Sequence, residues 1–278
     1  MTTTHSAREV RQAVRERYAG VATKDAPCCG PSCCGALDGS TKTDDVSRRI
    51  GYTEADLQAV SEHANLGLGC GNPTAIASLE PGQTVLDLGS GAGIDVVLAA
   101  KQVGPTGKVI GVDMTPEMVA RARANAEEAD YRNVEFRLGK IESLPVGDAS
   151  VDVVISNCVL NLVPAKGRAL AEAYRVLKPG GRIVISDMVS ERPVPKVLEG
   201  KLDALVACLP TFRERHLEQF REAGFRDVRI TSEKAYPASY ILGDPGVAEF
   251  IAAHPSEAAE LAAFAGSIAG AHFEATKA

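Results

Sequence analysis

The chain has 278 residues, of which 45% are hydrophobic and 24% are charged, as in an ordinary globular protein. Its net charge of −6 at pH 7 argues against nucleic acid or an anionic membrane as a partner. No apolar run is long enough to span a bilayer, and residues 1–6 do not resemble a signal peptide. We therefore expect a cytoplasmic protein whose seven cysteines are mostly reduced.

The N-terminal part combines a helix with a cysteine-rich loop. Residues 6–21 place Val10, Val14 and Tyr18 on one helical face, which favours packing. The loop carries two vicinal pairs of thiols, Cys28 and Cys29, and Cys33 and Cys34. Vicinal thiols suit a soft thiophilic element or dithiol–disulfide exchange; the alternative is an arm whose cysteines have no essential role. Residues 37–46 are polar and predicted to be a linker.

A second predicted helix leads to another glycine-rich loop. Thr53 and Asp56 form an approximate capping box, and the helix is expected to run to about Asn65. Residues 66–73 then form a loop that carries Cys70 between two glycines. Such a cysteine is poorly placed to be a core hydrophobe, so a functional thiol is favoured.

The chain is organised around residues 84–93, which predict a buried strand, a tight glycine turn and the start of a helix. Asp87 stands two residues before the first glycine, where a carboxylate repels a pyrophosphate but suits an ammonium group. The next strand, residues 108–113, ends in Asp113, which can accept hydrogen bonds from ribose hydroxyls. An ammonium group plus a ribose without phosphate indicates S-adenosylmethionine. The alternative is a NAD or FAD site with an unusual loop.

Alternating strands and helices continue along the chain, which predicts a parallel sheet covered on both faces. A helix is expected at residues 116–129, and strands at 134–138 and 151–156. The last of these brings Cys158 to the carboxyl edge of the sheet, beside the glycine turn. Cys158 could be a small buried hydrophobe, but its place at this edge favours a functional role.

The C-terminal part supplies one more cysteine. After a turn at residues 177–181 and a strand at 182–187, the pattern predicts a helix over 196–208 with Cys208 near its end. Periodicity alone favours a packing role for Cys208. A helix at residues 216–223 and strands at 226–233 and 267–276 follow, the two strands separated by an alanine-rich helical segment at 246–265.

Residues 84–93 closely resemble motif I of the Rossmann-like S-adenosylmethionine methyltransferases. This resemblance implies an α/β class I fold with a mostly parallel, seven-stranded sheet and helices on both faces. It places Ile141 and Glu142 beside the adenine. The cofactor-binding residues implied together are Asp87, Gly89, Ser90, Gly91, Gly93, Asp113, Met114, Ile141, Glu142 and Asn157.

The segments around the cysteines resemble a more specific family within these methyltransferases. Residues 68–73, residues 156–162 and the upstream Cys-Cys-Gly pairs are similar to those of the arsenite S-adenosylmethionine methyltransferases, over about residues 10–225. The resemblance implies methylation of arsenite and methylarsenite, with As(III) held by catalytic Cys70, Cys158 and Cys208, and its lone pair attacking the sulfonium methyl. Cys158 and Cys208 are the core pair, and Cys70 is the third ligand or a disulfide-forming thiol.

The resemblance also implies a reductant such as thioredoxin or glutathione, and arsenic capture or disulfide relay by Cys28, Cys29, Cys33 and Cys34. One departure concerns Cys208, since Leu209-Pro210-Thr211-Phe212 follows where the family has a small, glycine-containing segment. Two alternatives stay open: a methyltransferase for a small organic acceptor, and a non-catalytic thiol-based metalloid binder.

Three regions are expected. Residues 1–45 form the N-terminal helix and a cysteine-rich arm, and residues 46–190 form the cofactor-binding core. Residues 191–278 form helices that cap the substrate and late strands that complete the sheet.

Overall fold

The computed structural model describes residues 5–24, 43–242 and 245–278. The predicted capture thiols Cys28, Cys29, Cys33 and Cys34 therefore lie outside the described residues. Most of the predicted linker at residues 37–46 also lies outside them. The linker prediction is wrong for its last residues, because helix α2 begins at Thr43.

The core is one sheet in which the first five strands are parallel. Its strands are β1 (Thr84–Leu88), β2 (Lys108–Asp113), β3 (Val134–Leu138), β4 (Val151–Asn157), β5 (Leu177–Ser190), β6 (Thr211–Phe212), β7 (Arg226–Ala235) and β8 (Ile268–Thr276). Seven strands follow the order β3-β2-β1-β4-β5-β8-β7, and β8 is antiparallel to both of its neighbours. The two-residue β6 pairs with the end of β5 and makes an eighth strand, one more than predicted.

Helices cover both faces of this sheet, as the sequence predicted. They are α1 (Ala7–Lys24), α2 (Thr43–Arg49), α3 (Glu54–Gln58), α4 (Pro73–Ile76), α5 (Ile94–Val103), α6 (Pro116–Glu128), α7 (Lys166–Val176), α8 (Leu202–Val206), α9 (Arg213–Glu222), α10 (Ala238–Leu242), α11 (Pro245–Ala253) and α12 (Ala258–Ala265). Successive residues of β1 belong to two hydrophobic clusters on opposite faces of the sheet. Val85 lies in the cluster that contains Val96 of α5, and Leu86 lies in the cluster that contains Leu170 of α7. A strand buried on both faces reads as a continuous apolar run, which is why β1 and β4 were recognisable.

Two helix predictions fail at specific residues. The Thr53–Asp56 capping box is present, with Thr53 Oγ1 accepting the Asp56 N–H at 3.1 Å. However, α3 ends at Gln58 rather than near Asn65, because the Ser61 side chain accepts the N–H of His63 and starts a separate 3₁₀ turn.

The helix predicted over residues 196–208 is also wrong. A 3₁₀ turn at Lys196–Leu198 is separated from the short helix α8 by Gly200, whose φ of 70° lies in the left-handed region. Glycine adopts this conformation without steric cost, so the chain changes direction there. Cys208 consequently follows α8 instead of lying within a helix.

Helix α1 packs against α6 and α8. Its residues Val10 and Val14 are buried against Val206, as the apolar stripe predicted. Within the described part of the chain, no helix combines the length and apolar character needed to cross a membrane.

Candidate functional site

A cleft that is partly open to solvent lies at the carboxyl ends of β1, β2 and β4. Nearly all of the predicted site residues line it: Cys70, Asp87, Gly89, Ser90, Gly91, Asp113, Met114, Ile141, Glu142, Asn157, Cys158 and Cys208. Gly93 does not. A Cβ atom at Gly93 would stand 3.0 Å from the ring of Phe136, so this glycine allows α5 to approach β3.

The glycine turn fixes Asp113 through the backbone. Gly91, with φ at 51°, donates its N–H to Asp113 Oδ2 at 3.0 Å, and Thr115 donates its N–H to Oδ1 at 2.8 Å. Burial raises the pKa of Asp113, and these N–H donors oppose the shift. Each carboxylate oxygen keeps a further lone pair. Asp113 can therefore accept hydroxyl groups in the cleft, as a ribose would require.

Asp87 is a buried carboxylate suited to a cation. It is 2% exposed, and no described residue donates a hydrogen bond to its side chain. Burial raises the pKa of Asp87 well above its usual range, and the charges of Asp95 and Asp113 raise it further. Ser90 Oγ, also buried in the cleft, has no hydrogen-bond partner among the described residues. A ligand with an ammonium group and polar atoms would satisfy both side chains, which fits S-adenosylmethionine.

Helix α1 forms part of the wall of the cleft. Arg11 Nη1 lies 3.0 Å from Glu142 Oε1, and this ion pair is only partly exposed. Val14 and Tyr18 of α1 also line the cleft. The segment after β3 that carries Ile141 and Glu142 also lines the cleft, in contact with α1, and can bound a flat ring such as adenine.

Cys70 and Cys158 are joined by a disulfide across 88 residues of sequence, with their Cα atoms 5.4 Å apart. The expectation of reduced thiols is therefore not met for this pair. The prediction that Cys158 lies at the carboxyl edge of the sheet is met, and Cys70 lines the same cleft.

The glycines that flank Cys70 allow its loop to approach the sheet. A Cβ atom at Gly69 would stand 2.9 Å from Asn157 Nδ2, and one at Gly71 would stand 2.5 Å from His272 Nε2. A side chain at Gly69 would press on Asn157 of β4, and one at Gly71 would press on His272 of β8 and Ser186 of β5. The Gly-Cys-Gly sequence is thus explained by close approach.

Cys208 reaches the same place from a different segment. Its Sγ lies 3.9 Å from the carbonyl oxygen of Cys158 and 3.9 Å from Tyr18 Oη. Cys158 and Cys208 have φ values of 57° and 59°, in the left-handed region that non-glycine residues rarely occupy. Backbone strain of this kind concentrates at functional sites, which favours a role for both thiols over simple packing.

Sequence reasoning missed a buried carboxylate beside the cysteine pair. One carboxylate oxygen of Asp187 lies within 4.8 Å of both Cys70 Sγ and Cys158 Sγ. Burial raises the pKa of Asp187 to about 6, while the positive charge of Lys166 opposes the shift. Burial also lowers the pKa of Lys166 to about 8. The sequence could have identified Asp187 as a site residue, because it ends the predicted strand 182–187 at the same edge of the sheet as Asp113.

The fold and the cleft define an α/β protein that binds its ligand at the carboxyl edge of a parallel sheet. Residues 79–231 match the methyltransferase domain family, and the chain belongs to that family. This assignment confirms the predicted class I fold and S-adenosylmethionine as the cofactor.

The relatives are more particular. The chain is 51% identical over 229 residues to an arsenite methyltransferase of Halobacterium salinarum, covering 80% of this chain and 59% of that protein. It is 42% identical over 179 residues to an arsenite methyltransferase of Aquipseudomonas alcaligenes, covering 60% and 50%. The chain thus spans little more than half the length of these curated relatives.

A solved structure agrees with the sequence relatives. The arsenic(III) S-adenosylmethionine methyltransferase of Chlamydomonas reinhardtii is 33% identical, with a TM-score of 0.65, covering 80% of this chain and 71% of that one. The resemblance to arsenite methyltransferases that the cysteine segments predicted is therefore confirmed.

Proposed function

We propose that this protein transfers methyl groups from S-adenosylmethionine to trivalent arsenic, acting on arsenite and then on methylarsenite, in arsenic detoxification. The observation that carries the proposal is the convergence of Cys70, Cys158 and Cys208 on the cofactor cleft. The names of the relatives support the same substrate.

The three thiols suit trivalent arsenic because arsenous acid is uncharged at neutral pH and carries three exchangeable hydroxyl groups. Each thiol that binds forms one As–S bond, and its proton leaves with one hydroxyl as water. Sulfur is the soft ligand that such an element prefers. In the disulfide form of Cys70 and Cys158, two electrons and two protons must first be supplied by a thiol reductant.

The cleft orients the two reactants. S-adenosylmethionine, when bound, supplies an electrophilic methyl group on a sulfonium. We assign Asp87 to its ammonium group, Asp113 to its ribose, and Ile141 and Glu142 to its adenine. The cysteines leave the arsenic lone pair available as the nucleophile, so the protein contributes by positioning, and no general base is needed.

Methylation raises arsenic from the trivalent to the pentavalent state, so a second methylation requires two electrons. Cys70 and Cys158 can supply them by forming the disulfide, and thioredoxin or glutathione would then restore both thiols. We therefore propose a thiol reductant as the partner and the reducing cytoplasm as the location. Arsenic capture or disulfide relay by the four upstream cysteines remains part of the proposal.

The three predicted regions have distinct roles in this account. Residues 46–190 provide the cofactor residues and two of the thiols, and residues 191–278 provide Cys208 and complete the sheet. Residues 1–45 provide α1, which forms part of the wall of the cleft, and the cysteine-rich arm.

The test is to incubate purified protein with S-adenosylmethionine, a thiol reductant and arsenite, and to separate methylated arsenic species by chromatography with mass detection. The wild type is expected to produce them, and Cys158→Ser, with cofactor binding intact, is not. Methylated arsenic from both the wild type and Cys158→Ser would show that Cys158 is not needed for the reaction. If a folded wild type that binds cofactor gives no arsenic product, the proposal is wrong, and either an organic acceptor or metalloid binding without catalysis takes its place.

A further inference from the structure

The side chain of Asn157 is hydrogen-bonded to both sides of Cys70. Its Oδ1 accepts the backbone N–H of Cys70 at 3.0 Å, and its Nδ2 donates to the carbonyl oxygen of Gly71 at 2.8 Å. Because Asn157 directly precedes Cys158, one side chain ties the loop of the first disulfide cysteine to the strand that carries the second.

Two further buried groups hold the Asn157 amide in this orientation. Tyr52 Oη donates to Asp95 Oδ1 at 2.8 Å. Asn157 Nδ2 donates to Tyr52 Oη at 2.9 Å and to Asp95 Oδ2 at 3.1 Å. The two amide hydrogens of Asn157 are therefore already shared among three acceptors, so its N–H groups are committed to this network although the residue lines the cleft.

Burial makes this network rigid. Tyr52 and Asp95 are each 4% exposed, so water cannot readily replace the hydrogen bonds between them. Buried bonds to a charged group are stronger than neutral, exposed ones, and breaking one leaves an unsatisfied partner. The network joins three segments that are distant in sequence: the residue before the α3 cap, the first turn of α5 and the end of β4.

We propose that Tyr52, Asp95 and Asn157 are positioning residues that hold the backbone of Cys70 so that its sulfur meets the sulfur of Cys158. Asn157 thereby serves the cysteine pair rather than the cofactor to which the sequence assigned it. The importance of this hydrogen-bond network for catalysis rests on the proposed function. The pairing of the two cysteines can nevertheless be measured without arsenic.

The experiment equilibrates the full-length protein with mixtures of reduced and oxidised glutathione. Two S–H bonds of the protein break and one S–S bond forms, while oxidised glutathione takes up the two protons and two electrons to become two reduced molecules. Alkylation of the remaining thiols, followed by peptide mass analysis, gives the ratio of Cys70–Cys158 disulfide to dithiol. The variant is Tyr52→Phe, which keeps the ring and removes the hydroxyl group.

Tyr174→Phe is the matched control, because Tyr174 packs against Phe225 and Lys277 and has no contact with the network. We expect Tyr52→Phe to lower the disulfide-to-dithiol ratio about tenfold, and Tyr174→Phe to change it less than about twofold. Asn157→Ala is expected to lower the ratio further. The affinity for S-adenosylmethionine, measured by calorimetry, should change less than about threefold in Tyr52→Phe, because the positioning role concerns the cysteines.

An unchanged ratio in folded Tyr52→Phe and Asn157→Ala would overturn the proposal. If Asn157→Ala leaves the ratio unchanged but loses cofactor affinity tenfold, the proposal is also overturned, and Asn157 is a cofactor-binding residue. If Tyr52→Phe does not fold, Asp95→Asn tests the same network with a side chain of the same shape. If the variants change the disulfide-to-dithiol ratio as expected but the wild type methylates no arsenic, the proposed function is refuted and the positioning role stands.

Discussion

Cys208 Sγ lies 3.9 Å from the carbonyl oxygen of Cys158, although the two cysteines belong to segments on opposite sides of β5 in the sequence. Both residues have left-handed backbone conformations. Cys158 is also bonded to Cys70, so thiols from three separate segments meet at one end of the cofactor cleft. This arrangement distinguishes the site from a general methyltransferase cleft, and the following predictions test it.

The first prediction separates the two proposed substrates. Methylarsenite has only two exchangeable hydroxyl groups, so the Cys158–Cys208 pair is sufficient for it, whereas arsenite can use a third thiol. Cys70→Ser should therefore lose more than about tenfold in arsenite methylation and keep most methylarsenite methylation. Cys158→Ser should lose both activities. Initial rates with each substrate measure this, and equal losses on both substrates in Cys70→Ser would place Cys70 in the core pair instead.

The second prediction concerns the backbone of Cys208. At a φ of 59°, a residue with a Cβ atom is strained where glycine is not. Cys208→Gly should therefore have a free energy of unfolding about 1 kcal/mol higher than Cys208→Ala, although both lack the thiol. Urea denaturation of the two variants makes the comparison. Equal stabilities, or a more stable alanine variant, would show that the left-handed conformation at this position carries no strain.

The sequence was sufficient for the core of the fold because β1 and β4 are buried on both faces and the glycine turn follows directly. It was also sufficient to bring Cys158 to the active edge, since Cys158 directly follows β4, whereas Cys70 was placed at the site only by the resemblance. It was insufficient for Cys208. Apolar periodicity over residues 196–208 suggested one helix, whereas Gly200 interrupts it, and only the tertiary packing of α8 against α1 turns the thiol toward the cleft.

The hydrogen-bond network was beyond sequence reasoning for a related reason. Tyr52 and Asp95 belong to segments whose local patterns indicate only a helix cap and a first helical turn. Their contacts with Asn157 depend on how three segments pack together, which neither local propensity nor strand order specifies. Asp187 is different, because its place at the end of a predicted strand could have marked it as a site residue.

The third prediction tests the buried charges beside the cysteines. The Lys166 ammonium contacts Asn161 Oδ1 at 2.9 Å and also Thr211 Oγ1, and its charge favours ionised Asp187. Lys166→Met should lower the free energy of unfolding by about 1 kcal/mol, because it removes a donor to Asn161 Oδ1 and a charge that favours ionised Asp187. A double-mutant cycle with Asp187→Asn should give a coupling energy of at least about 1 kcal/mol. Strictly additive effects would contradict this electrostatic coupling.

The fourth prediction concerns pH. Burial raises the pKa of Asp87, the residue assigned to the ammonium group, well above its usual range. Protonated carboxyl groups do not attract a cation, and a bound cation lowers their pKa, so cofactor binding releases protons. The affinity for S-adenosylmethionine should therefore fall as the pH is lowered through the raised pKa of Asp87.

Calorimetry at several pH values, in buffers of different ionisation enthalpy, measures both the affinity and the proton release. Asp148→Asn, which removes an exposed carboxylate that pairs with Arg175, is the control and should keep the wild-type pH dependence. Constant affinity as the pH is lowered, or proton uptake on binding, would show that the Asp87 carboxyl group does not contact the cationic part of the cofactor.

The most direct test of the account is a single turnover with pre-reduced protein, S-adenosylmethionine labelled in its methyl group, one equivalent of arsenite and no added reductant. Arsenic species are identified by mass detection, and protein thiols are counted before and after. The account predicts one labelled methyl group on arsenic and the loss of two thiols, with Cys70 and Cys158 recovered as the disulfide. A folded, cofactor-binding protein that leaves arsenic unmethylated would contradict it.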